Sequence, residues 1–430
     1  MNKFGILLAC ALSSCWLAAQ EVPSSLRWDD FYKTVQKELR SDVAAERMAA
    51  LEKFKTEDYL ESAEFLLSMI ESRRTTPAQA GRAAEILGEM RDSKAQNLLQ
   101  KRIQALLRPN RFLLRAYARL DPVQPDLEDQ IFNAISKRPT PTQLADMLRL
   151  AADLKPTPNW LEPLLLNSLG SQNYHAARRS GAEALGKCGT ALAVESLIQF
   201  TQDKVIGTET RTALTRLTGQ IHWRDAAAWT AWWKDAEGGF QPAAIAEADL
   251  KKLVAELANA DAADLDFYGI KLEGQYILFL LDSSGSMQGE RMETLKRELA
   301  SLLDSMDDSY RFGMVLFPLD RFPTRGIEPA TTKFKEKAVR FIDRMDALGG
   351  TPLSDSIEYA FDKIVESQNV DTIYILTDGD PNRDPEDVRL MIKDLNEMLL
   401  TRIHTISIGQ ASDFLKNVAL DNGGKYAEIQ

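Results

Sequence analysis

The residues that most restrict this chain lie in its last third. Four short apolar runs, QYILFLL from Gln275, RFGMVLF from Arg311, TIYILT from Thr372 and RIHTISIG from Arg402, alternate there with longer stretches of helical spacing. A strand with one face in water alternates apolar and polar residues, so runs this apolar are expected to be covered on both faces. A weaker run, KYAEI from Lys425, closes the series. The alternation predicts an α/β domain with a doubly wound, mostly parallel sheet. In such sheets ligands sit beyond the carboxyl ends of the strands, near the point where the strand order reverses.

Three polar tips fall at that edge. The first run stops at Asp282 and is followed by Ser283, Ser284, Gly285 and Ser286. The stretch ALGGTPLSDS puts Thr351 before Pro352, the expected first position of a helix, and the third run ends at Asp378-Gly379. Taken singly these are a turn, an N-cap and an Asp-Gly turn. Taken together, loops on one edge would gather Asp282, Ser284, Ser286, Thr351 and Asp378, which offer only oxygen. Hard oxygen donors carrying few charges suit Mg²⁺ better than zinc or copper, with Mn²⁺ or Ca²⁺ as alternatives. A cage made only of carboxylates would neutralise the ion, whereas hydroxyls leave positive charge for an outside anion. Asp355 and Asp380 lie off this pattern and are expected to be helix-start and turn residues.

The order DSSGS, GGTPL, LTDGDP resembles the metal-ion-dependent adhesion site of von Willebrand factor type A (VWA) domains, whose pattern is Asp-x-Ser-x-Ser, then Thr, then Asp. The resemblance covers residues 275–430, and the ending NVALDNGGKYAEI is similar to the family's last helix and strand. It implies that Ser284, Ser286 and Thr351 bind the metal through hydroxyls, and that Asp282 and Asp378 bind directly or through water. It also implies a protein partner that supplies an Asp or Glu carboxylate.

Residues 24–240 read as successive helices. A small or apolar residue precedes a leucine by three places at Leu51, Leu87, Leu120, Leu154, Leu185 and Leu217, with gaps of 36, 33, 34, 31 and 32 residues. This is the length of a helix-turn-helix unit that buries its apolar face by stacking on its neighbours. AGRAAEILGEMRDSKAQNLLQKRI and ARRSGAEALGKCGTALAVESLIQF resemble HEAT-type repeats, which implies an all-α solenoid. An irregular helical bundle is the alternative. Trp229, Trp232 and Trp233 share one helical face and are expected to cap the open end. A helical linker is expected over residues 241–274.

The first residues, MNKFGILLACALSSCWLAAQE, have the lysine, apolar run and small residues of an export signal over residues 1–20. Leu12-Ser13-Ser14-Cys15 also resembles a bacterial lipoprotein signal, so the expected product is periplasmic or secreted, either soluble or anchored at Cys15. Cys10 is lost on either route, and Cys188 then has no internal partner for a disulfide.

With 63 acidic and 52 basic residues the net charge is −11, and no basic run offsets it, which argues against nucleic acid as a partner. The chain has no Gly-x-Ser-x-Gly elbow, no phosphate-binding glycine loop and only His175, His222 and His404 as candidate bases, which argues against an enzyme. The reading is an exported, Mg²⁺-dependent protein-binding molecule: the metal site captures a partner carboxylate and the solenoid offers a second surface. The alternatives are a scaffold with a purely structural metal and a serine-based hydrolase.

Overall fold

The computed structural model describes residues 24–72, 74–106, 110–243, 245–260, 266–317, 320–321, 326–347, 349–350 and 352–429. The candidate signal peptide with Cys15, and Thr351, lie outside the described residues. None of the described helices is long and apolar enough to cross a membrane.

Among the described residues the helical spacing of the first half becomes six helix pairs. Their first helices, Ala44–Glu52, Pro77–Glu89, Arg111–Ala118, Pro141–Ala152, His175–Cys188 and Gly207–Thr218, each pack on the next. The second helices run from Leu60–Glu71 to Ala226–Ala236 and form the other layer. Local signals set the starts. Thr76 and Thr140 each precede a proline and exchange hydrogen bonds with Gln79 and Gln143, closing two capping boxes. One apolar core fills the stack, from Val35 to Trp229 and Trp233. Trp229 is fully buried, donates its indole N–H to the Trp223 carbonyl at 3.0 Å, and stands edge-on to Trp232.

Nine strands follow among the described residues: β1 (Asp266–Phe267), β2 (Ile270–Lys271), β3 (Tyr276–Asp282), β4 (Arg311–Phe317), β5 (Asp320–Arg321), β6 (Glu328–Pro329), β7 (Thr372–Thr377), β8 (Arg402–Ile408) and β9 (Tyr426–Ile429). The main sheet has the order β5-β4-β3-β7-β8-β9, with β6 also paired to β4. The β4-β3, β3-β7, β7-β8 and β8-β9 pairs are parallel, and only the short edge strands β5 and β6 are antiparallel. The apolar runs are explained by two covered faces. Ile277, Phe279 and Leu281 of β3 enter the core beneath helices Glu290–Ser305 and Thr332–Asp343. Leu278 and Leu280 enter the opposite core, beneath Leu353–Ala360, Pro385–Asn396 and Asp413–Asp421. The α/β class and the parallel sheet are as the spacing predicts.

Two features differ from the sequence reading. The region read as a helical linker holds the helix Glu247–Ala260, but then turns into the antiparallel β1-β2 hairpin, with Tyr268 and Gly269 both at positive φ. Phe267 and Ile270 are buried in the core of the sheet domain, so this hairpin packs with the strands that follow it. Two residues per strand are too few to show a period in sequence. The helix after Thr351 also begins at Leu353, with Pro352 at its N-cap position.

The two halves are joined through the first-helix layer. Ala45 and Ala78 donate their backbone N–H groups to Asp387 and Asp394 of the helix Pro385–Asn396. Arg111 and Arg115 reach Glu397 and are held from behind by Asp146. Beneath the sheet, Arg402 at the start of β8 bridges Glu209 of the helical half and Glu273, while Arg179 lies 3.5 Å from Glu209 and donates to the Leu400 carbonyl. Arg179 and Arg402 are both buried. Burial opposes the Arg402 charge, but Glu209, Glu273 and Asp371 outweigh it and hold the guanidinium above its ordinary pKa. At Glu273 burial pushes the carboxyl up, but Arg402 and the other positive groups around it together outweigh burial and bring it down to about 2.

Candidate metal-binding edge

Strand order places the site. From β3 the chain moves to β4 on one side and later to β7 on the other, so the order reverses between β3 and β7. Asp282 ends β3 and Asp378 directly follows β7, so the two carboxylates flank the reversal point where such sheets bind ligands.

The hydroxyls lie between them. Ser284 Oγ is 3.0 Å from Ser286 Oγ, and Ser286 Oγ donates to Asp378 Oδ1 at 2.8 Å. The Ser284 amide donates to Asp282 Oδ1 at 2.8 Å. The turn is pinned on both sides: the Ser283 amide donates to the Phe317 carbonyl of β4 at 2.8 Å, and the Gly285 amide to the Gly349 carbonyl at 3.0 Å. The second bond brings the loop that leads to Thr351 against the serine turn. Four of the five expected residues are thus gathered, and Thr351 lies outside the described residues. Asp355 pairs with Arg383 at 2.7 Å and Asp380 accepts from Ser412 at 3.1 Å, so both are engaged as local structural groups.

Two residues were missed in sequence. Thr377, the last residue of β7, donates its hydroxyl to Asp282 Oδ2 at 2.6 Å. Arg291 donates to Asp378 Oδ2 at 2.6 Å and to the Ser286 carbonyl at 3.2 Å. A signal for Arg291 existed: it stands in the first turn of the helix Glu290–Ser305, where a cation opposes the helix dipole and calls for a nearby anion. Gly409, at φ +85°, leaves room for the guanidinium, since a Cβ there would lie 2.6 Å from Arg291 Nη2.

The donor set fits a hard divalent cation. Asp282 is fully buried, and Asp378 is 6% exposed. Burial pushes the Asp282 carboxyl above its usual range and the Asp378 charge adds to this, while hydrogen bonds from Thr377 and Ser284 act against it. Two carboxylates held close in a buried place gain from a positive ion between them. Among the described residues no group of three His, Cys, Asp or Glu side chains converges as a metal cage, which sets the hydroxyls apart as the remaining donors here. No imidazole hydrogen bonds to either serine. His404 is packed on Tyr374, His175 bonds Asn369 and His222 packs on Trp229.

Residues 277–428 match the family model of the von Willebrand factor type A domain. The chain is 29% identical over 170 residues to human inter-alpha-trypsin inhibitor heavy chain H4, a match covering 36% of this chain and 18% of that one. It is 26% identical over 179 residues to an uncharacterised Synechocystis protein, covering 41% of this chain and 42% of that one. Among solved structures it is similar to a von Willebrand factor type A protein from Catenulispora acidiphila, with 19% identity and a TM-score of 0.32 over 37% of this chain and 40% of that one. The chain therefore spans less than a fifth of the heavy chain's length and less than half of either of the others. With the family match confined to the sheet half, the C-terminal part of this chain, residues 277–428, is a von Willebrand factor type A domain.

Proposed function

We propose that this chain is an exported protein-binding module whose type A domain holds Mg²⁺ through Asp282, Ser284, Ser286, Thr351 and Asp378 and captures a carboxylate of a protein partner. The observation that carries the reading is the continuous oxygen path Ser284–Ser286–Asp378 beside Asp282 at the strand-order reversal. A divalent ion bound there would supply an electrophilic coordination position for an anionic group. Asp282 and Asp378 would balance no more than the ion's two charges and the hydroxyls add no further negative charge, so an open coordination position on the cation would remain for an outside carboxylate. The hydroxyls of Ser284 and Ser286 have no imidazole base, which favours binding over a serine hydrolase. Type A relatives are mainly non-enzymatic interaction proteins.

The helix pairs are read as HEAT-like repeats. Their first-helix layer is occupied by the type A domain, so the second surface would be the outer layer, where Phe132 and Leu192 stand 45% and 53% exposed. The helical half makes its cross-domain hydrogen bonds and ion pairs away from residues 282–287, 349–350 and 378–380 among the described residues. That leaves the metal edge open to a partner.

In the full chain, Mg²⁺ or Mn²⁺ is expected to raise the melting temperature over an EDTA control. A ligand at 100 times its Kd stabilises the folded state by about 2.7 kcal/mol. Asp282→Asn should remove the shift, and capture of a partner from envelope extract should require the metal. A shift of equal size in Asp282→Asn would overturn the assignment of this site.

Arg291 is expected to weaken metal binding by occupying Asp378. Arg291→Gln removes a positive charge beside the ion and should tighten Mn²⁺ binding by about fivefold, on the order of 1 kcal/mol for a partly exposed charge. Calorimetric titration of the full chain measures this. Weaker binding in the variant would assign Arg291 the opposite role, of holding Asp378 in place for the ion.

A further inference from the structure

The main sheet ends at β9, and among the described residues no strand pairs with its outer edge. Pairing with β8 shows what that edge presents. The Lys425 carbonyl accepts from the Thr405 amide at 3.0 Å, and the Ile429 carbonyl accepts from the Gly409 amide at 2.6 Å. Backbone groups alternate sides along a strand, so residues 425, 427 and 429 turn theirs toward β8, while Tyr426 and Glu428 turn their N–H and C=O groups outward. Such a row is a template for one more strand. Proline and bulges commonly protect an edge of this kind. β9 is short and carries the exposed Glu428, but it has no proline and its register with β8 is unbroken.

A cavity of about 1090 Å³ borders the first half of this row. Its lining includes Lys416 and Leu420 of the helix Asp413–Asp421, which covers one face of the sheet, and His404 and Ala427, whose side chains lie on the other face. A space reached from both faces of β9 runs past its free edge. Leu250 and Val254 of the helix Glu247–Ala260 stand across it. The volume is that of a ligand pocket, roughly 300–1,000 Å³, and far below that of a folded domain, so an extended segment fits where the sheet of a second copy does not. Charges of both signs line the cavity, so recognition rests on the backbone row rather than on a field of one sign. The cavity lies at the amino ends of β8 and β9, the opposite end of the parallel strands from Asp282 and Asp378.

We propose that the outer edge of β9 binds an extended segment of a partner protein as an added antiparallel strand. The incoming backbone exchanges hydrogen bonds with Tyr426 and Glu428. Every second side chain falls on the Ala427 face, where Ile270, Leu250 and Val254 favour apolar residues. The residue across from Glu428 falls on the other face, and opposite charge across a strand pair favours Lys or Arg there. The segment thus alternates apolar and polar residues, with a basic one at the Glu428 position. This inference does not rest on the metal site.

The test is fluorescence anisotropy of the full chain with the labelled, end-capped peptide Val-Lys-Val-Thr-Val, whose Lys-Val-Thr lies across Glu428, Ala427 and Tyr426. Saturable binding is expected, unchanged by EDTA. Methylating the backbone nitrogens of the peptide's Lys and Thr removes the donors that face β9 and should weaken binding at least tenfold. Glu428→Pro removes an outward N–H without touching the bonds to β8 and should do the same. Glu428→Lys should weaken binding of this peptide but bind Val-Glu-Val-Thr-Val more tightly than the parent chain does, a reversal that misfolding would not produce. Absence of saturable binding, or binding that survives methylation, would overturn the proposal. A dimer of the full chain in sedimentation that Glu428→Pro dissolves would also overturn it, by assigning the edge to a second copy.

Discussion

Arg402→Ala is expected to destabilise the full chain by about 3–5 kcal/mol, the usual cost of removing one partner from a buried ion pair. The side chain is 8% exposed, and it meets Glu209 from the helical half and Glu273 from the strand domain's entry segment. Its loss leaves two carboxylates facing the buried Asp371, with Arg179 as the nearby cation. The damage is electrostatic as well as steric, which makes a second variant informative. Arg402→Met combined with Glu209→Gln and Glu273→Gln removes the charges together and should recover much of the loss. Urea unfolding followed by circular dichroism measures both. A loss below about 1 kcal/mol in Arg402→Ala would place the pair among weak surface bridges and would mean that the halves are joined mainly by apolar contact.

Acid should weaken the same junction before ordinary carboxylates titrate. His175 and His404 are buried, and burial is the main cause that pushes each down to about 3, from an ordinary value of 6.5. Geometry agrees at His404, because Nδ1 is held as an acceptor by the Lys425 amide and cannot take a proton without losing that bond. At His175, Arg179 and Arg178 add repulsion to burial. With the folded pKa depressed, the unfolded chain takes up protons first. The stability is therefore fully present above pH 6.5 and is lost as pH falls toward 3. Between pH 7.5 and pH 5 the two histidines together should cost about 4 kcal/mol. Glu273, held at about 2, adds to the loss below pH 4.5, whereas Asp282 and Asp371, both raised, act in the other direction within the carboxylate range. His404→Gln and His175→Gln should each flatten the dependence of the urea midpoint on pH. Equal stability of the parent chain at pH 7.5 and pH 5 would refute this account.

The sequence by itself determined the features that depend on local pattern. Apolar runs covered on both faces fixed β3, β4, β7 and β8, and the recurring leucines near every 33 residues marked the first-helix layer. That Asp282, Ser284, Ser286 and Asp378 would meet was legible because each stands at or just beyond the end of an apolar strand on the same edge of the sheet. Alternation also fixed the class of sheet, and with it the edge on which these tips would meet.

Only the tertiary structure decided how the halves meet. Arg179 and Arg402 read in sequence as ordinary solvated charges, and nothing local distinguishes them from Arg149 or Arg389. Whether an arginine is a surface group or a buried tie depends on its burial and on partners as far away as Glu209 is from Arg402. The same holds for Arg291, whose partner Asp378 lies on another strand loop. A helical or strand period records which face of an element is apolar. It does not record which other element will cover that face, and it was this choice that buried the first-helix layer and left the edge at Asp282 and Asp378 uncovered by the helical half.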